Sequence, residues 1–154
     1  MKEAMKFSAG HFTIFSATER EALHGHNFTV GASLVAEIPD DGLLFDYGVY
    51  KHRLIEICRE YNEIFLLPDR SPYLRIERGE TQTLAHFNGV AIPFLNSDVK
   101  VLPISNVTVE ELAFLLLDSV VEFRKEQGHD AISEIVVKVF SGPGQSASAV
   151  WPDA

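Results

Sequence analysis

The stretch Leu23-His24-Gly25-His26-Asn27-Phe28 places two histidines two residues apart at the start of a segment that has the pattern of a β-strand. Residues i and i+2 of a strand point to the same face of a sheet, so His24 and His26 can converge on one point. Upstream, the segment Phe7-Ser8-Ala9-Gly10-His11-Phe12-Thr13-Ile14-Phe15 has the pattern of another strand. If a polar turn closes this strand pair, His11 lies beside the other two histidines.

Three neutral imidazoles around one point suit a zinc ion. A site with three protein ligands leaves a fourth position for water or substrate, which is the pattern of catalytic zinc sites. A His-x-His pair also occurs by chance, and exposed or hydrogen-bonded core histidines are the simpler interpretation of the same residues. The spacing alone leaves both interpretations open.

Length and charge restrict the class of protein. The chain has 154 residues, enough for one domain with a hydrophobic core of its own, and we expect residues 1–154 to form that domain. There are 22 acidic and 13 basic residues, a formal net charge of -9, and no basic run, so nucleic acid is not an expected partner. The single cysteine, Cys58, excludes an intrachain disulfide and a zinc cluster of cysteines, and its helical surroundings predict a buried thiol.

The sequence shows no sign of export or of membrane insertion. Residues 1–6 lead into strand-like sequence without the apolar stretch of a signal peptide. The longest apolar run, residues 112–117, is far too short to span a bilayer. We therefore expect a cytoplasmic protein without a membrane partner.

The hydrophobic patterns predict an α+β chain in the order strand, strand, helix, small hairpins, helix, strand, strand. The second strand extends over residues 26–38, and Asp46 can cap the first helix. The pattern of residues 61–103 breaks into short apolar pieces, which we interpret as a small antiparallel insertion. Within it, Asn88-Gly89 is a two-residue hairpin turn of the primed type.

The second helix has clear signals at both ends. Thr108 and Glu111 form a capping box, and Gly128 is the natural stop. Two further strands follow, at residues 132–140 and 147–151. The remaining histidines fall in segments that predict exposed side chains: His52, His86 and His129.

This order of elements, together with four motifs, resembles the 6-pyruvoyltetrahydropterin synthase family, which includes the 6-carboxytetrahydropterin synthases of the queuosine pathway. The motifs are Phe7-Ser8-Ala9-Gly10-His11-Phe12, Leu23-His24-Gly25-His26-Asn27-Phe28, Phe45-Asp46-Tyr47 and Asn106-Val107-Thr108-Val109-Glu110-Glu111-Leu112-Ala113. The resemblance covers almost the whole chain. Its most specific part is the spaced set of His11, His24 and His26.

The resemblance implies a tunnelling fold, in which two helices pack on one face of a four-stranded antiparallel sheet; the small β-hairpin insertion is added to it. It also implies a homo-oligomer, commonly a hexamer, with active sites between subunits. The implied cofactor is Zn2+ and the implied substrate is a dihydropterin triphosphate, whose side-chain hydroxyls bind the metal. Zinc acts there as a Lewis acid and a general base moves the proton, so we expect a zinc-dependent lyase.

The chain departs from the family pattern at the expected base. Family members that make pyruvoyl or carboxy products carry a cysteine a few residues before the histidine pair, whereas this segment contains Glu21, three residues before His24. A variant class is similar in this respect. In that class the implied reaction is a retro-aldol cut of the dihydroneopterin side chain that yields 6-hydroxymethyl-dihydropterin for folate synthesis. Glu21 is therefore the candidate base.

Two further departures concern the proton relay and the pterin anchor. The family's Asp-His pair aligns with Asn62-Glu63, so Glu63 is a second candidate acid or base, although a glutamate at a helix end is more often a surface residue. The glutamate that holds the amino-pyrimidine edge aligns with Ser141, whose hydroxyl cannot accept two parallel hydrogen bonds. Thr108 and Glu110 match positions near the pterin pocket. Either another acid such as Glu110 serves as the anchor, or the ligand is not an ordinary pterin.

Two other hypotheses stay open beside the lyase. The chain could be a zinc-binding paralogue that has lost the family chemistry and binds another small metabolite or acts as an assembly partner. Alternatively, the metal could be absent and the histidines remnants. A Glu21→Gln substitution separates the lyase from the paralogue, because a lyase that uses Glu21 as base should lose turnover and keep its zinc.

Overall fold

The elements of the fold follow one another in an α+β order. The computed structural model describes residues 5–153, so residues 1–4 and residue 154 lie outside the described range. The expectation that the chain begins without a signal peptide falls largely on residues 1–4. The strands and helices are β1 (Lys6–His11), β2 (His24–Ala36), α1 (Gly48–Tyr61), β3 (Ile64–Pro68), β4 (Arg75–Arg78), β5 (Gln82–Phe87), β6 (Val90–Leu95), β7 (Val99–Leu102), α2 (Val109–Gln127), β8 (Ile132–Gly142) and β9 (Gln145–Trp151).

The main sheet has six strands in the order β7-β3-β1-β2-β8-β9. Its strands β1, β2, β8 and β9 pair antiparallel and correspond to the four-stranded sheet that we expected. However, β3 joins β1 in parallel, and β7 joins β3 in parallel. The expectation of only four antiparallel strands is therefore wrong, because two short apolar segments extend the sheet beyond β1.

Strand β3 belongs to the main sheet and not to the small insertion in which we expected it. Leu66 and Leu67 are completely buried, and each belongs to a different hydrophobic cluster. A continuous apolar run is typical of a strand that is covered on both faces. Parallel pairing of β1 with β3 also requires a long connection, here the segment that contains β2 and α1, and local sequence patterns do not reveal which strands such a connection brings together.

A second sheet of three strands, in the order β4-β5-β6, takes the place of the expected hairpin insertion. The predicted turn at Asn88-Gly89 joins β5 to β6 and is confirmed, with φ of 47° and 77° at its two residues. Both values are positive, as a type I′ turn requires. The buried side chains here form a second hydrophobic cluster, which contains Phe12, Ile14, Leu67, Leu74, Ala85 and Phe87.

Both helices pack against one face of the main sheet in the larger hydrophobic cluster. The buried members of this cluster include Phe7, Phe28, Leu54, Leu66, Leu112, Leu116, Val137 and Val139. Helix α2 begins at the Thr108 cap and ends at Gly128, which has φ of 68°, so both predicted ends are confirmed. The N-cap position of α1 is Tyr47 and not Asp46 as predicted, and the Tyr47 side chain makes no capping hydrogen bond. Asp46 Oδ1 instead accepts the N–H of Gly48, because an aspartate side chain readily bonds to the backbone two residues on. Within residues 5–153, neither helix has the length and apolar character needed to cross a membrane.

We predict that Gly10→Ala destabilises the fold and that Gly31→Ala does not. A Cβ on Gly10 would overlap the ring of Phe65, which itself packs against Phe12 and Phe94. Overpacking of this kind costs about 1–3 kcal/mol. A Cβ on Gly31 would meet no described heavy atom within 4 Å. Urea unfolding of the metal-free variants measures the difference, and equal free energies of unfolding would contradict the prediction.

Candidate metal centre

The pairing of β1 with β2 brings three histidines together. The antiparallel register places His11 opposite His24 and Ala9 opposite His26, so the three imidazoles share one face of the sheet. The ring centre of His11 lies 4.6 Å from that of His24 and 5.1 Å from that of His26. One ring nitrogen of each residue lies within 4.8 Å of the others. We call these three residues the histidine triad.

Backbone carbonyls orient two of the rings. The Nδ1 atom of His11 lies 2.8 Å from the carbonyl oxygen of Val107, and the Nδ1 atom of His24 lies 2.7 Å from that of Ala22. A carbonyl oxygen can only accept, so each Nδ1 carries a hydrogen and donates it. The lone pair of each Nε2 is consequently free to bind a metal, and the ring is held in the tautomer that this requires.

The Nε2 atom of His11 gives the clearest indication that the triad fits a metal ion. His11 is only 6% exposed, and its Nε2 has no hydrogen-bond partner among the described residues. A buried polar atom without a partner costs about 1–3 kcal/mol. The Nε2 atoms of His24 and His26 lie 3.0 Å apart. A cation between the three residues would satisfy the orphaned nitrogen and both of its neighbours.

Electrostatics at the triad also suit a cation. Burial lowers the pKa of His11, although the hydrogen bond to Val107 acts in the opposite direction, so this ring is neutral at pH 7. Glu21 Oε2 lies 3.8 Å from His24 Nε2. Partial burial alone would raise the pKa of Glu21, but the N–H of Thr13, 2.9 Å from Oε2, and the nearby histidines lower it below its ordinary value. An ionised carboxylate therefore lies next to the triad.

Asn106 supports the site from a distance, in a role that the sequence did not indicate. Asn106 Oδ1 accepts the N–H of Ile14, and Asn106 Nδ2 donates to the carbonyl oxygen of the same residue, at 3.1 and 2.8 Å. These bonds fix the loop before α2 against the segment after β1, and the next residue, Val107, holds His11. The two partners are 92 residues apart in the chain, so no local pattern could have indicated the contact.

The structure places Glu63 in a neighbouring pocket and not beside Glu21. Glu63 follows α1, is exposed, and has φ of 58° in the left-handed region. Its N–H donates to the carbonyl oxygen of Ser8 at 2.7 Å. The pocket that Glu63 lines is also lined by Ser8, Asn27 and His26. Within this pocket, His26 is the member of the triad that Glu63 approaches.

The three predicted substrate-binding residues lie in two separate places. The Thr108 hydroxyl accepts an N–H at the start of α2, and Glu110 is exposed in the same turn. Ser141 lies near the end of β8, where it lines a pocket together with His26. Its hydroxyl donates to Gln145 Oε1 at 3.1 Å. The described chain thus brings Ser141 near one member of the triad, whereas Thr108 and Glu110 follow the carbonyl that holds His11.

The other three histidines lie outside the triad. His52 is exposed, as predicted. His86 is half-buried and bonds to a glutamate carboxylate at 2.7 Å. His129 is also half-buried, because its Nδ1 lies 2.7 Å from the Tyr50 hydroxyl and its ring stacks on Phe45 with centres 4.1 Å apart. The prediction of exposed side chains is wrong for these two, since both make contacts with residues from other elements.

Two helices on one face of a sheet with this topology, and three histidines across its first strand pair, define a tunnelling-fold protein of the pterin-synthase type. The family described as 6-pyruvoyl tetrahydropterin synthase matches residues 1–149. The chain belongs to this family. Members of the family are lyases that act on pterins, so the comparison supports a pterin-synthase-like function.

Individual relatives agree with this assignment. The chain is 26% identical to a protein of Methanocaldococcus jannaschii that is provisionally described as a 6-carboxy-5,6,7,8-tetrahydropterin synthase, over 93% of this chain and 88% of the relative. The 6-pyruvoyl tetrahydropterin synthases of Plasmodium falciparum and Plasmodium vivax are structurally similar, each with a TM-score of 0.86, 25% identity, and coverage of 97% of this chain and 93% of theirs. A P. vivax variant that lacks a glutamate named as catalytic shares the fold with the same TM-score at 24% identity.

We predict that His26→Ala weakens the binding of a divalent metal ion and that His52→Ala leaves it unchanged. Loss of a residue that hydrogen-bonds to a metal ligand lowers the metal affinity about 10–100-fold, and loss of a ligand itself should lower it further. Isothermal titration of the untagged chain with zinc measures both variants. Equal affinity of the wild type and His26→Ala would show that the triad is not the metal site.

Proposed function

We propose that the chain is a zinc-dependent lyase that acts on 7,8-dihydroneopterin triphosphate or a related pterin and cuts the side chain to 6-hydroxymethyl-dihydropterin. Membership of the family supports the pterin substrate. The triad, with its orphaned His11 Nε2, supports the metal. The observation that carries the proposal is the distance of 3.8 Å between Glu21 Oε2 and His24 Nε2, which places a candidate base beside the metal ligands.

The triad would hold the zinc ion through nitrogen ligands of His11, His24 and His26. A set of three histidines is a common set of catalytic zinc ligands and leaves one position open. Bound there, zinc would polarise a substrate oxygen and make its proton easier to remove. The chain's own contribution is to keep the rings oriented, which the Val107 and Ala22 carbonyls do for two of them.

Glu21 would move the proton in this reaction. Its pKa lies below the ordinary value, so the side chain is ionised and ready to accept a proton at neutral pH. In a retro-aldol cut, the hydroxyl of the second side-chain carbon loses its proton and becomes a carbonyl, and the bond to the first side-chain carbon breaks. The first carbon keeps the electron pair and takes up a proton. Glu21 can accept the first proton and return it in the second step.

The pterin ring would bind next to the triad through residues outside it. Glu110 has an exposed carboxylate in the first turn of α2 and can accept two parallel hydrogen bonds from an amino-pyrimidine edge, which Ser141 cannot. Ser141 and Thr108 would contribute single hydrogen bonds. Glu63, in its neighbouring pocket, is a second candidate acid or base in this proposal.

A homo-oligomer, with the hexamer as the expected form, is part of the proposal. Strands β7 and β9 are the two edges of the six-stranded sheet. Strand β9 has the sequence QSASAVW, without a charge or a proline to prevent pairing with another chain. Pairing of such edges between copies would join the sheets of neighbouring subunits.

A zinc-binding paralogue with a different ligand is the second candidate function, and two observations favour it. Cys58 cannot replace the missing cysteine base, because it is buried in α1 and burial raises its pKa to about 11. This also confirms the predicted buried thiol. Ser141 already donates its hydroxyl to Gln145 and offers no carboxylate to a pterin. The absence of a cysteine base would suit a protein without the usual family chemistry, and the absence of a carboxylate at Ser141 would suit a small metabolite other than an ordinary pterin.

We expect the zinc-loaded chain to convert 7,8-dihydroneopterin triphosphate to 6-hydroxymethyl-dihydropterin, followed by mass and fluorescence. Glu21→Gln should lower turnover by about 10²–10⁴-fold, the usual contribution of a general base, while metal analysis finds zinc still bound. Glutamine keeps the size of the side chain but cannot take a proton. Glu19→Gln, an exposed residue of the same loop, is the matched control and should retain activity.

Two results would count against the proposal in different ways. Absence of product with zinc bound would contradict the lyase and favour the paralogue. Product formation that is unchanged in Glu21→Gln would leave the lyase standing and remove Glu21 as its base.

A further inference from the structure

We propose that Arg20 is a positioning residue that fixes Glu21 beside the histidine triad, and that the small sheet β4-β5-β6 takes part in the active site through Arg20. This inference rests on the proposed role of Glu21. No local sequence pattern marks Arg20, and its contacts come from elements that are far apart in the chain.

The guanidinium group of Arg20 is fixed by two aromatic rings. Its Cζ atom lies 5.0 Å from the ring centre of Phe12 and 5.6 Å from that of Phe87. Both rings are buried, with 1% and 6% of their surface exposed. A cation within about 6 Å of a ring centre is attracted to the ring, and the planar guanidinium group packs on aromatic faces in a way that a lysine ammonium does not.

The guanidinium group of Arg20, held by the two rings, also bonds to the backbone of Glu21. Its Nη1 atom donates to the Glu21 carbonyl oxygen at 2.7 Å. On the other side, the Glu21 N–H donates to the Thr13 carbonyl oxygen, and the Thr13 N–H donates to Glu21 Oε2, each at 2.9 Å. The backbone of Arg20 also forms an isolated antiparallel β-bridge with that of Ile14. The backbone N–H, the backbone carbonyl and the carboxylate of Glu21 are therefore all held by hydrogen bonds, and together these bonds set the direction of the carboxylate.

The two rings come from different parts of the fold. Phe12 directly follows β1, whereas Phe87 is the last residue of β5 and precedes the tight turn to β6. Both belong to the second hydrophobic cluster. The loop of residues 18–22 and the turn at residues 87–90 line one cleft. Arg20 is thus the residue through which the second cluster meets the loop that carries Glu21.

Hydrogen exchange of single amides tests the positioning role without any substrate. In Arg20→Lys, the amides of Thr13 and Glu21 should exchange about tenfold faster, because a charged hydrogen bond to the loop is lost. Amides of β1 and β2 within their ladder should keep their rates. Arg75→Lys changes an exposed arginine of the small sheet and is the matched control. Wild-type exchange at both loop amides in Arg20→Lys would overturn the inference.

Kinetics test whether the positioning matters for the reaction. Arg20→Lys should lower kcat about tenfold, with KM and zinc affinity unchanged, because the residue acts only on the placement of the base. In a Glu21→Gln background, the same substitution should cause no further loss. A loss that is equally large in both backgrounds would show that Arg20 acts independently of Glu21, and the inference would be wrong.

The positioning role of Arg20 can still be tested if Arg20→Lys does not fold or if the wild-type chain shows no turnover. If Arg20→Lys does not fold, Phe87→Leu removes one supporting ring while retaining an apolar side chain, and it should produce the same faster exchange at Thr13 and Glu21. If the wild-type chain shows no turnover, the proposed function fails, and the exchange rates still decide whether Arg20 fixes Glu21.

Discussion

The antiparallel pairing of β1 with β2 is the constraint on which the rest of the structure depends. It places Gly10 opposite Gly25, directly between the pair that contains His11 and the pair that contains His26. A side chain at either glycine would not fit: at Gly25 a Cβ would lie 2.9 Å from a backbone carbonyl oxygen of β1, and at Gly10 it would overlap the ring of Phe65. The glycine pair therefore allows close packing in the strand pair that brings the histidines together.

From this strand pair, the fold supports the site from two sides. On one side, α2 begins just after Val107, whose carbonyl oxygen orients His11, and the larger hydrophobic cluster fixes that helix to the sheet. On the other side, the second cluster packs beneath Arg20, which bonds to the Glu21 backbone. The candidate metal ligands and the candidate base therefore depend on different clusters. Because β3 contributes Leu66 to one cluster and Leu67 to the other, it connects the two supports.

Local patterns in the sequence predicted the features that depend on local physics. The two-residue spacing of His24 and His26, the turn at Asn88-Gly89 and the ends of α2 follow from strand geometry, positive φ and backbone capping, and the structure shows each of them. Strand β3 pairs with β1 across β2 and α1, and β7 pairs with β3 across the small sheet. The partial burial of His129 depends on Tyr50 and Phe45 from elsewhere in the chain. Such contacts leave no periodic signal, so neither they nor the role of Asn106 could be predicted.

In the proposed site, nitrogen atoms of the three histidines hold zinc beside an ionised glutamate. X-ray absorption at the zinc K edge of the untagged, zinc-loaded chain tests it most directly, because it reports the number and type of ligands. We predict three imidazole nitrogens at about 2.0–2.1 Å with oxygen completing the coordination, and no sulfur. A sulfur ligand at about 2.3 Å, or fewer than three imidazoles, would contradict it.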